Sequence, residues 1–276
     1  MKRTLTRLSP LLVVLLLAGC ASISPDGLRG DVAQRTEGRL PAGAQLPSPD
    51  AKAQQNAQAQ VADWLKTPVD ADTAVRIALL NNPGLQAQLA QLGIADAQRV
   101  QVLTLPNPSF TFGRFRNGHE REIERQLSFG LVQLVTLPWR SRWQGWQMEQ
   151  ATMTAAQQVL LLAADTRRAW LRAVAAEQAL AANERMHDAA ALGGELAKRM
   201  AQVGNFSKMD QARELVQQQQ AAAQLARARL NAQLEREQLA RRMGLWGQQL
   251  AFKLPAQLPA LPKNTELRSG DDAEAT

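Results

Sequence analysis

The feature that most constrains the fold is a stretch of about 65 residues, 139–203, that contains no proline. Alanine, glutamine, leucine and arginine dominate this stretch, and helices tolerate all four residue types well. At a rise of 1.5 Å per residue, one helix over 139–203 would extend about 95 Å, roughly three times the diameter of a small domain. Because no globular core can surround such a helix, we expect a mainly α-helical protein with long antiparallel helical hairpins.

A turn at 204–206 separates this helix from a second helix, which is predicted over 207–243. Ser207 is a favourable N-cap residue, and Asp210 follows three residues later, at the spacing of a capping box. A role in ending one helix and starting the next would by itself explain Gly204 and Ser207, without any binding partner at the turn. Apolar residues on the second helix recur every seven positions, which is the period of a coiled coil; they are Met209, Val216, Ala223 and Leu230.

One β-hairpin interrupts the helical pattern, and we expect it over 109–137. Polar and apolar residues alternate in 109–114 and again in 124–131, and an Asn-Gly pair lies in the polar segment between them. A lone two-stranded hairpin is marginally stable in water, so it must join strands from other copies or pack on the helices. The apolar side chains expected on one face are Phe110, Phe112, Leu127, Phe129 and Leu131.

Three tryptophans, Trp139, Trp143 and Trp146, follow the second predicted strand, together with two arginines. An indole ring is favoured at a membrane–water boundary, where one side is apolar and the N–H stays wet. The tryptophans are therefore candidates for an interface belt. Packing between helices is the alternative.

The N-terminal residues have the pattern of a lipoprotein signal peptide, expected over 1–19. A basic start precedes an apolar run at 11–17, which is much shorter than the ~20 residues that a membrane-spanning helix needs. The run ends in Leu-Ala-Gly followed by Cys20, which resembles the bacterial lipobox, and Cys20 is the only cysteine. Cys20 is therefore expected to carry lipid and to become the mature N-terminus. An ordinary signal peptide with a chance cysteine is the alternative.

Two further segments are expected to lack fixed structure. Residues 20–62 are rich in Ser, Gly, Pro, Gln and Ala, which favours a flexible tether without its own core. Residues 251–276 are Pro-rich and then acidic, which favours a disordered tail. The ordered part of the chain is therefore expected to be 63–250.

The composition argues against several classes of function. The net charge is +7, but the Lys and Arg residues are interspersed with Asp and Glu, which is typical of a solvated surface and not of a nucleic-acid-binding patch. The chain has two His and one Cys, so neither a metal cluster nor an internal disulfide is expected. No catalytic order of Ser, His and Asp, phosphate-binding loop or convergent carboxylate pair is present, so no catalytic residue and no cofactor are expected.

Four stretches together resemble one structural repeat of the outer-membrane efflux factors, the TolC family. Residues 74–85 match an Ala-x-x-x-Ala-Leu-x-x-Asn-Pro-x-Leu pattern that is similar to the opening signature of the family. Residues 105–110 resemble its entry into the first strand, 203–210 its periplasmic helix-turn-helix, and 241–245 the end of its repeat. The four stretches occur in the family order across residues 65–250.

The resemblance implies a passive channel that crosses the outer membrane as a β-barrel and the periplasm as an α-barrel of long helical hairpins. In such a barrel, the residues that face lipid would be Phe110, Phe112, Leu127, Phe129 and Leu131. It implies a subunit of a tripartite efflux or secretion system, anchored by lipid in the outer membrane and facing the periplasm. The helix-turn-helix would dock on a periplasmic adaptor, which links the channel to an inner-membrane pump. The residues of this docking tip would be Gly204, Asn205, Phe206, Ser207 and Asp210.

The sequence departs from the family pattern in the number of repeats. Family members carry two repeats per chain and assemble as trimers, whereas one hairpin and one long helix are found in this sequence. The resemblance therefore implies either a truncated half or an assembly of six copies, with a trimer expected if a second repeat exists. An alternative function is a periplasmic adaptor lipoprotein, but adaptors flank their helical hairpin with β-rich halves on both sides.

Overall fold

The computed structural model describes residues 22–104, 107–117, 120–128 and 130–260, with backbone alone at 117 and 120–122. It contains α1 (Arg29–Thr36), α2 (Ala51–Trp64), α3 (Ala71–Asn81), α4 (Pro83–Leu103), β1 (Ser109–Asn117), β2 (Glu120–Ser128), α5 (Leu131–Gln202) and α6 (Lys208–Met243). A short 3-10 helix, Gly247–Ala251, follows α6. The expectation of a mainly α-helical fold with one β-hairpin is confirmed. The chain divides into two compact units, 1–60 with 76–163 and 61–75 with 164–276.

The long helix α5 has 72 residues, which corresponds to about 108 Å of helical rise. It begins at Leu131, so the prediction that the second strand continues to residue 137 is wrong. Pro138 lies inside the helix and does not end a strand. A strand at 131–137 would need a partner for its backbone groups, whereas a helix satisfies most of those groups within its own segment. Thr136 also donates its hydroxyl to the Val132 carbonyl at 2.8 Å, a contact that a helix permits.

Residues 22–62 are ordered, so the expectation that 20–62 forms a flexible tether is wrong for the part of that segment that the structure describes. Besides forming α1 and α2, it packs along α4: the Ser24 amide donates to Asp96 Oδ2 at 2.7 Å, and Arg99 donates to Asp96 Oδ1 at 2.9 Å. Asp96 is fully buried. One turn earlier on α4, a Cβ on Gly27 would lie 3.7 Å from the Gly93 Cα, so the two backbones approach closely. Composition could not reveal these long-range contacts.

The start of α1 is stabilised by the Asp26 side chain. Asp26 accepts hydrogen bonds from the backbone N–H of Leu28 at 3.0 Å and of Gly30 at 2.8 Å. The Ser24 hydroxyl donates to the same carboxylate at 2.5 Å. These hydrogen bonds, the one from Ser24 most strongly, hold the pKa of Asp26 below its ordinary value. The N-terminal segment is thus held both by local capping and by its contacts with α4.

The first residues of the predicted tail are ordered, which is a further correction. Phe252 is buried, and the Lys253 carbonyl accepts a hydrogen bond from the Val69 amide at 2.9 Å. The Arg236 guanidinium donates to the Phe252 carbonyl and lies 4.2 Å from the centre of the Phe252 ring. This pairing of a cation with an aromatic face fixes the chain after α6. The rest of the predicted tail, 261–276, lies outside the described residues.

In the second unit, α6 runs antiparallel to the end of α5, and ion pairs join the two helices. Arg172 Nε lies 3.0 Å from Glu235 Oε2, and Arg236 lies 2.7 Å from Glu177 Oε1. The heptad residues Met209, Val216 and Leu230 are exposed, so they do not form the seam between α5 and α6 in this chain. The buried face of α6 consists of Leu225, Ala232, Leu239, Ala240 and Met243. The period of seven therefore marks an apolar surface that this chain leaves uncovered.

Candidate functional site

The hairpin has two chemically different faces, which its register defines. β1 and β2 are antiparallel, with Phe110 opposite Leu127 and Thr111 opposite Gln126. Directly opposed residues lie on the same face of a sheet, and successive residues alternate between faces. We call one the Phe110 face; its described side chains belong to Phe110, Phe112, Arg114, Arg116, Ile123, Arg125 and Leu127. We call the other the Thr111 face; it carries Ser109, Thr111, Gly113, Phe115, Glu124, Gln126 and Ser128.

Three of the five predicted lipid-facing residues, Phe110, Phe112 and Leu127, lie together on the Phe110 face, and all three are exposed. Phe129 lies outside the described residues. Leu131 is exposed but belongs to α5 and not to the sheet, so it cannot share the strand face predicted for it. At the open end of the Thr111 face, the hydroxyls of Ser109 and Ser128 share a hydrogen bond of 2.5 Å.

The distribution of charged residues between the two faces of the hairpin was not predicted from the sequence. Arg114, Arg116 and Arg125 share a face with the apolar residues, whereas Glu124 lies on the opposite face. The signal was present in the alternation of acidic residues with basic or apolar residues along 120–125. With a period of two, this alternation places opposite charges on opposite faces of a strand.

The tryptophan side chains of the predicted belt project from one side of α5. Trp139, Trp143 and Trp146 follow the i, i+4, i+7 spacing of one helix face, and each is more than half exposed. Arg140 donates a hydrogen bond of 2.5 Å to the Val102 carbonyl at the end of α4. An open cleft of about 600 Å³ lies among these side chains and Arg142. The exposure of the rings disfavours the alternative that they pack between helices of this chain.

The turn between α5 and α6 is a compact, well-capped structure. Gly204 has a φ of 82°, and the Asn205 amide donates to the Met200 carbonyl at 2.9 Å while the Gly204 amide donates to the Ala201 carbonyl at 3.2 Å. These are the hydrogen bonds of a Schellman motif, which favours glycine at the left-handed position. Ser207 then caps α6: its Oγ accepts from the Asp210 amide at 3.1 Å and donates to Asp210 Oδ2 at 2.6 Å. The Ser207 hydroxyl is therefore engaged within the turn.

The exposed apolar side chains at this turn are not the predicted one. Phe206 is half-buried, whereas Val203 is 71% exposed and Met209 is 66% exposed. In the sequence, Met209 is marked only by the heptad pattern of the second helix, and Val203 only as the last residue before the turn. Their position on either side of the turn is the signal that marks them as surface residues of the tip, which we define as residues 203–210. Asp210 is also held by Arg213, at 3.2 Å.

Comparisons with known proteins bear on the fold. No protein-family model and no curated protein matches the chain. Solved structures do match: a membrane protein from Pseudomonas aeruginosa, at 20% identity and a TM-score of 0.56, and CusC, at 16% identity and a TM-score of 0.55. The CmeC outer-membrane channel of Campylobacter jejuni matches at 16% identity and a TM-score of 0.53. The chain has a TolC-like fold.

The matches cover 72%, 71% and 70% of this chain, but 50%, 47% and 45% of the respective structures. The chain thus spans about half the length of the TolC-like structures that it matches. Within the described residues, no helix is both long enough and apolar enough to cross a membrane. The described part of the chain also brings together no group of three or more His, Cys, Asp or Glu side chains that could hold a metal ion.

Proposed function

We propose that this chain is a subunit of an outer-membrane channel, a passive conduit in a tripartite efflux or secretion system. The observation that carries the proposal is the TolC-like fold combined with a hairpin that exposes four apolar side chains, Phe110, Phe112, Ile123 and Leu127, on one face and one, Phe115, on the other. Such a face is unfavourable in water and suits the lipid-facing side of a barrel. Because two strands cannot close a barrel, further strands must come from other copies of the chain or from a second repeat.

The three exposed tryptophans support a position of α5 near a membrane boundary. Their rings are amphipathic, and the neighbouring Arg140 and Arg142 carry positive charge toward the same cleft. Residues 131–148 contain no acidic side chain, so this part of α5 is compatible with anionic headgroups. We propose that Trp139, Trp143 and Trp146 form the interface belt on the periplasmic side of the membrane.

Lipid attachment at Cys20 is the first prediction of the proposal. Cys20 lies outside the described residues, and Ser22, two positions later, is held on α4, where Arg99 donates a hydrogen bond of 3.5 Å to its carbonyl. Cys20→Ala should abolish incorporation of radiolabelled palmitate, because the thiol that carries the lipid is gone. Ser22→Ala, which leaves the lipobox intact, should be labelled like the wild type. Equal labelling of the Cys20→Ala chain would contradict lipidation at this residue.

Docking of the tip on a periplasmic adaptor is the second prediction. Val203 and Met209 offer exposed apolar area at the tip, and the turn holds them in a fixed geometry through its caps. Val203→Asp should reduce photo-crosslinking from residue 205 to the adaptor at least tenfold, because a charge would be desolvated in the contact. The caps of the turn do not involve the Val203 side chain, so the helical content should stay unchanged.

A matched control is available one residue away. Gln202 is exposed and polar, so Gln202→Asp adds the same charge without removing apolar contact area. This variant should crosslink nearly as well as the wild type. If Val203→Asp and the wild type crosslink equally, Val203 is not part of a docking surface. If both aspartate variants lose crosslinking equally, the effect is one of net charge and not of the apolar contact.

A further inference from the structure

Charge is sorted between the two faces of the hairpin more completely than a solvated hairpin requires. The three described cationic side chains, Arg114, Arg116 and Arg125, all lie on the Phe110 face and are exposed. The one described carboxylate, Glu124, lies on the Thr111 face, opposite Gly113. Among the described residues, none of these arginines lies within ion-pairing distance of a carboxylate. With respect to the side chains that the structure describes, their charge is therefore available to a partner outside the chain.

The arginines are also ordered along the strand. The first pair on the Phe110 face, Phe110 with Leu127, is wholly apolar, and the next pairs are Phe112 with Arg125 and Arg114 with Ile123. Arg116 follows, opposite Arg121 in the backbone register. Successive pairs on one face are separated by about 7 Å along the strand. The face thus changes from apolar to basic over roughly 20 Å toward the turn.

This gradient has a physical meaning if the Phe110 face is in contact with lipid. An arginine on a lipid-facing strand is costly at the bilayer midplane and nearly neutral close to the interface. The long aliphatic part of Arg125 can lie along apolar surface while its guanidinium reaches toward the polar layer. The opposite arrangement would place Glu124 and the hydroxyl-rich Thr111 face in the hydrocarbon and Phe110, Phe112 and Leu127 in the water-filled lumen.

We propose that Arg114 and Arg116, in the half of the hairpin next to the turn, and Arg125, which reaches toward them from the middle of β2, form a binding surface for the phosphate groups of anionic membrane lipids. The guanidinium group matches phosphate in both charge and geometry, because two of its N–H groups can donate to one phosphate. A lipid headgroup is the occupant, and not free phosphate, because the basic surface continues directly into exposed apolar side chains that acyl chains would cover. This proposal rests on the proposed function, in which the hairpin lies in the membrane.

Lipid selectivity measured by electron paramagnetic resonance tests this surface. The full chain, reconstituted in phosphatidylcholine bilayers, is probed with spin-labelled phosphatidylglycerol and, separately, with spin-labelled phosphatidylcholine. An arginine near the surface strengthens contact with anionic lipid about fivefold, so the motionally restricted fraction should favour phosphatidylglycerol about fivefold or more at low salt. The triple variant Arg114→Gln, Arg116→Gln, Arg125→Gln should lower this preference about twofold or more, and the part that remains is that of Arg140 and Arg142 at the belt. Glu124→Gln, on the Thr111 face, should preserve it.

The outcomes separate this proposal from the proposed function. Restricted lipid without preference for phosphatidylglycerol in the wild type would overturn the phosphate-binding surface while leaving the hairpin in the bilayer. A preference that is as large in the triple variant as in the wild type would overturn the assignment to these arginines. Absence of any restricted lipid, with either probe, would overturn both, because the hairpin would not be in contact with the bilayer.

Discussion

Replacing Leu127 with arginine is expected to prevent stable assembly of the hairpin in the outer membrane. Leu127 lies opposite Phe110 in the only wholly apolar pair of the Phe110 face, which we place in the hydrocarbon. A lipid-facing arginine in a membrane barrel costs up to about 2–4 kcal/mol, less toward the interfaces, and every copy in a barrel would incur this cost. The measurement is the fraction of the chain recovered in the outer membrane as a detergent-resistant oligomer.

The neighbouring Gln126 provides the control for this prediction. It lies on the Thr111 face, opposite Thr111, and is also exposed, so Gln126→Arg introduces the same side chain toward the proposed lumen. This variant should assemble nearly as well as the wild type. Equal losses for Leu127→Arg and Gln126→Arg would mean that the Phe110 face is not the lipid-facing side of the hairpin.

Replacing Trp170 with alanine is expected to cause the largest loss of stability in the second unit. Trp170 is only 3% exposed, and its indole N–H donates to the Val69 carbonyl at 2.8 Å. The substitution would leave a large cavity and remove the partner of a buried carbonyl, at a cost of about 3–5 kcal/mol. The measurement is the urea midpoint of the loss of helical signal in circular dichroism.

One variant at this site separates the loss of side-chain volume from the loss of the hydrogen bond, and a second variant, at an exposed tryptophan, serves as the control. Trp170→Phe keeps an aromatic ring but removes the N–H, so it should cost about 1–3 kcal/mol. Trp246 is exposed, and Trp246→Ala should change the free energy of unfolding by no more than about 0.5 kcal/mol. An unchanged midpoint for Trp170→Ala would show that the contact with Val69 is not part of the stable core.

Much of the fold was predictable because its signals are local. The absence of proline and the high helical propensity of 139–203 predict α5 without any knowledge of its neighbours. Glycine and serine at the turn predict its caps, and the structure contains the hydrogen bonds that these residues make possible. The alternation of residues predicts which apolar side chains share a face of the hairpin.

The features that could not be predicted depend on contacts between distant parts of the chain. The N-terminal segment is ordered because Ser24 contacts Asp96, 72 positions later in the chain. A composition rich in Ser and Gly does not indicate such a contact. Phe252 is held because Arg236 donates to its carbonyl and the Val69 amide donates to the carbonyl of the next residue, Lys253. At 131–137, the apolar residues satisfy both a strand and a helix pattern, and no strand among the described residues lies beside them, which favours the helix.

The placement of the Phe110 face in lipid is the central claim, and site-directed spin labelling tests it most directly. Labels placed one at a time at residues 109–112 and 126–128, in the chain reconstituted in bilayers, report collision with oxygen and with an aqueous nickel complex. Labels at Phe110, Phe112 and Leu127 should collide more often with oxygen than with the nickel complex. Labels at the Thr111-face positions 109, 111, 126 and 128 should collide more often with the nickel complex, so that the accessibility alternates with a period of two residues. Uniform accessibility to the nickel complex at all seven positions would contradict a lipid-facing hairpin and, with it, the channel.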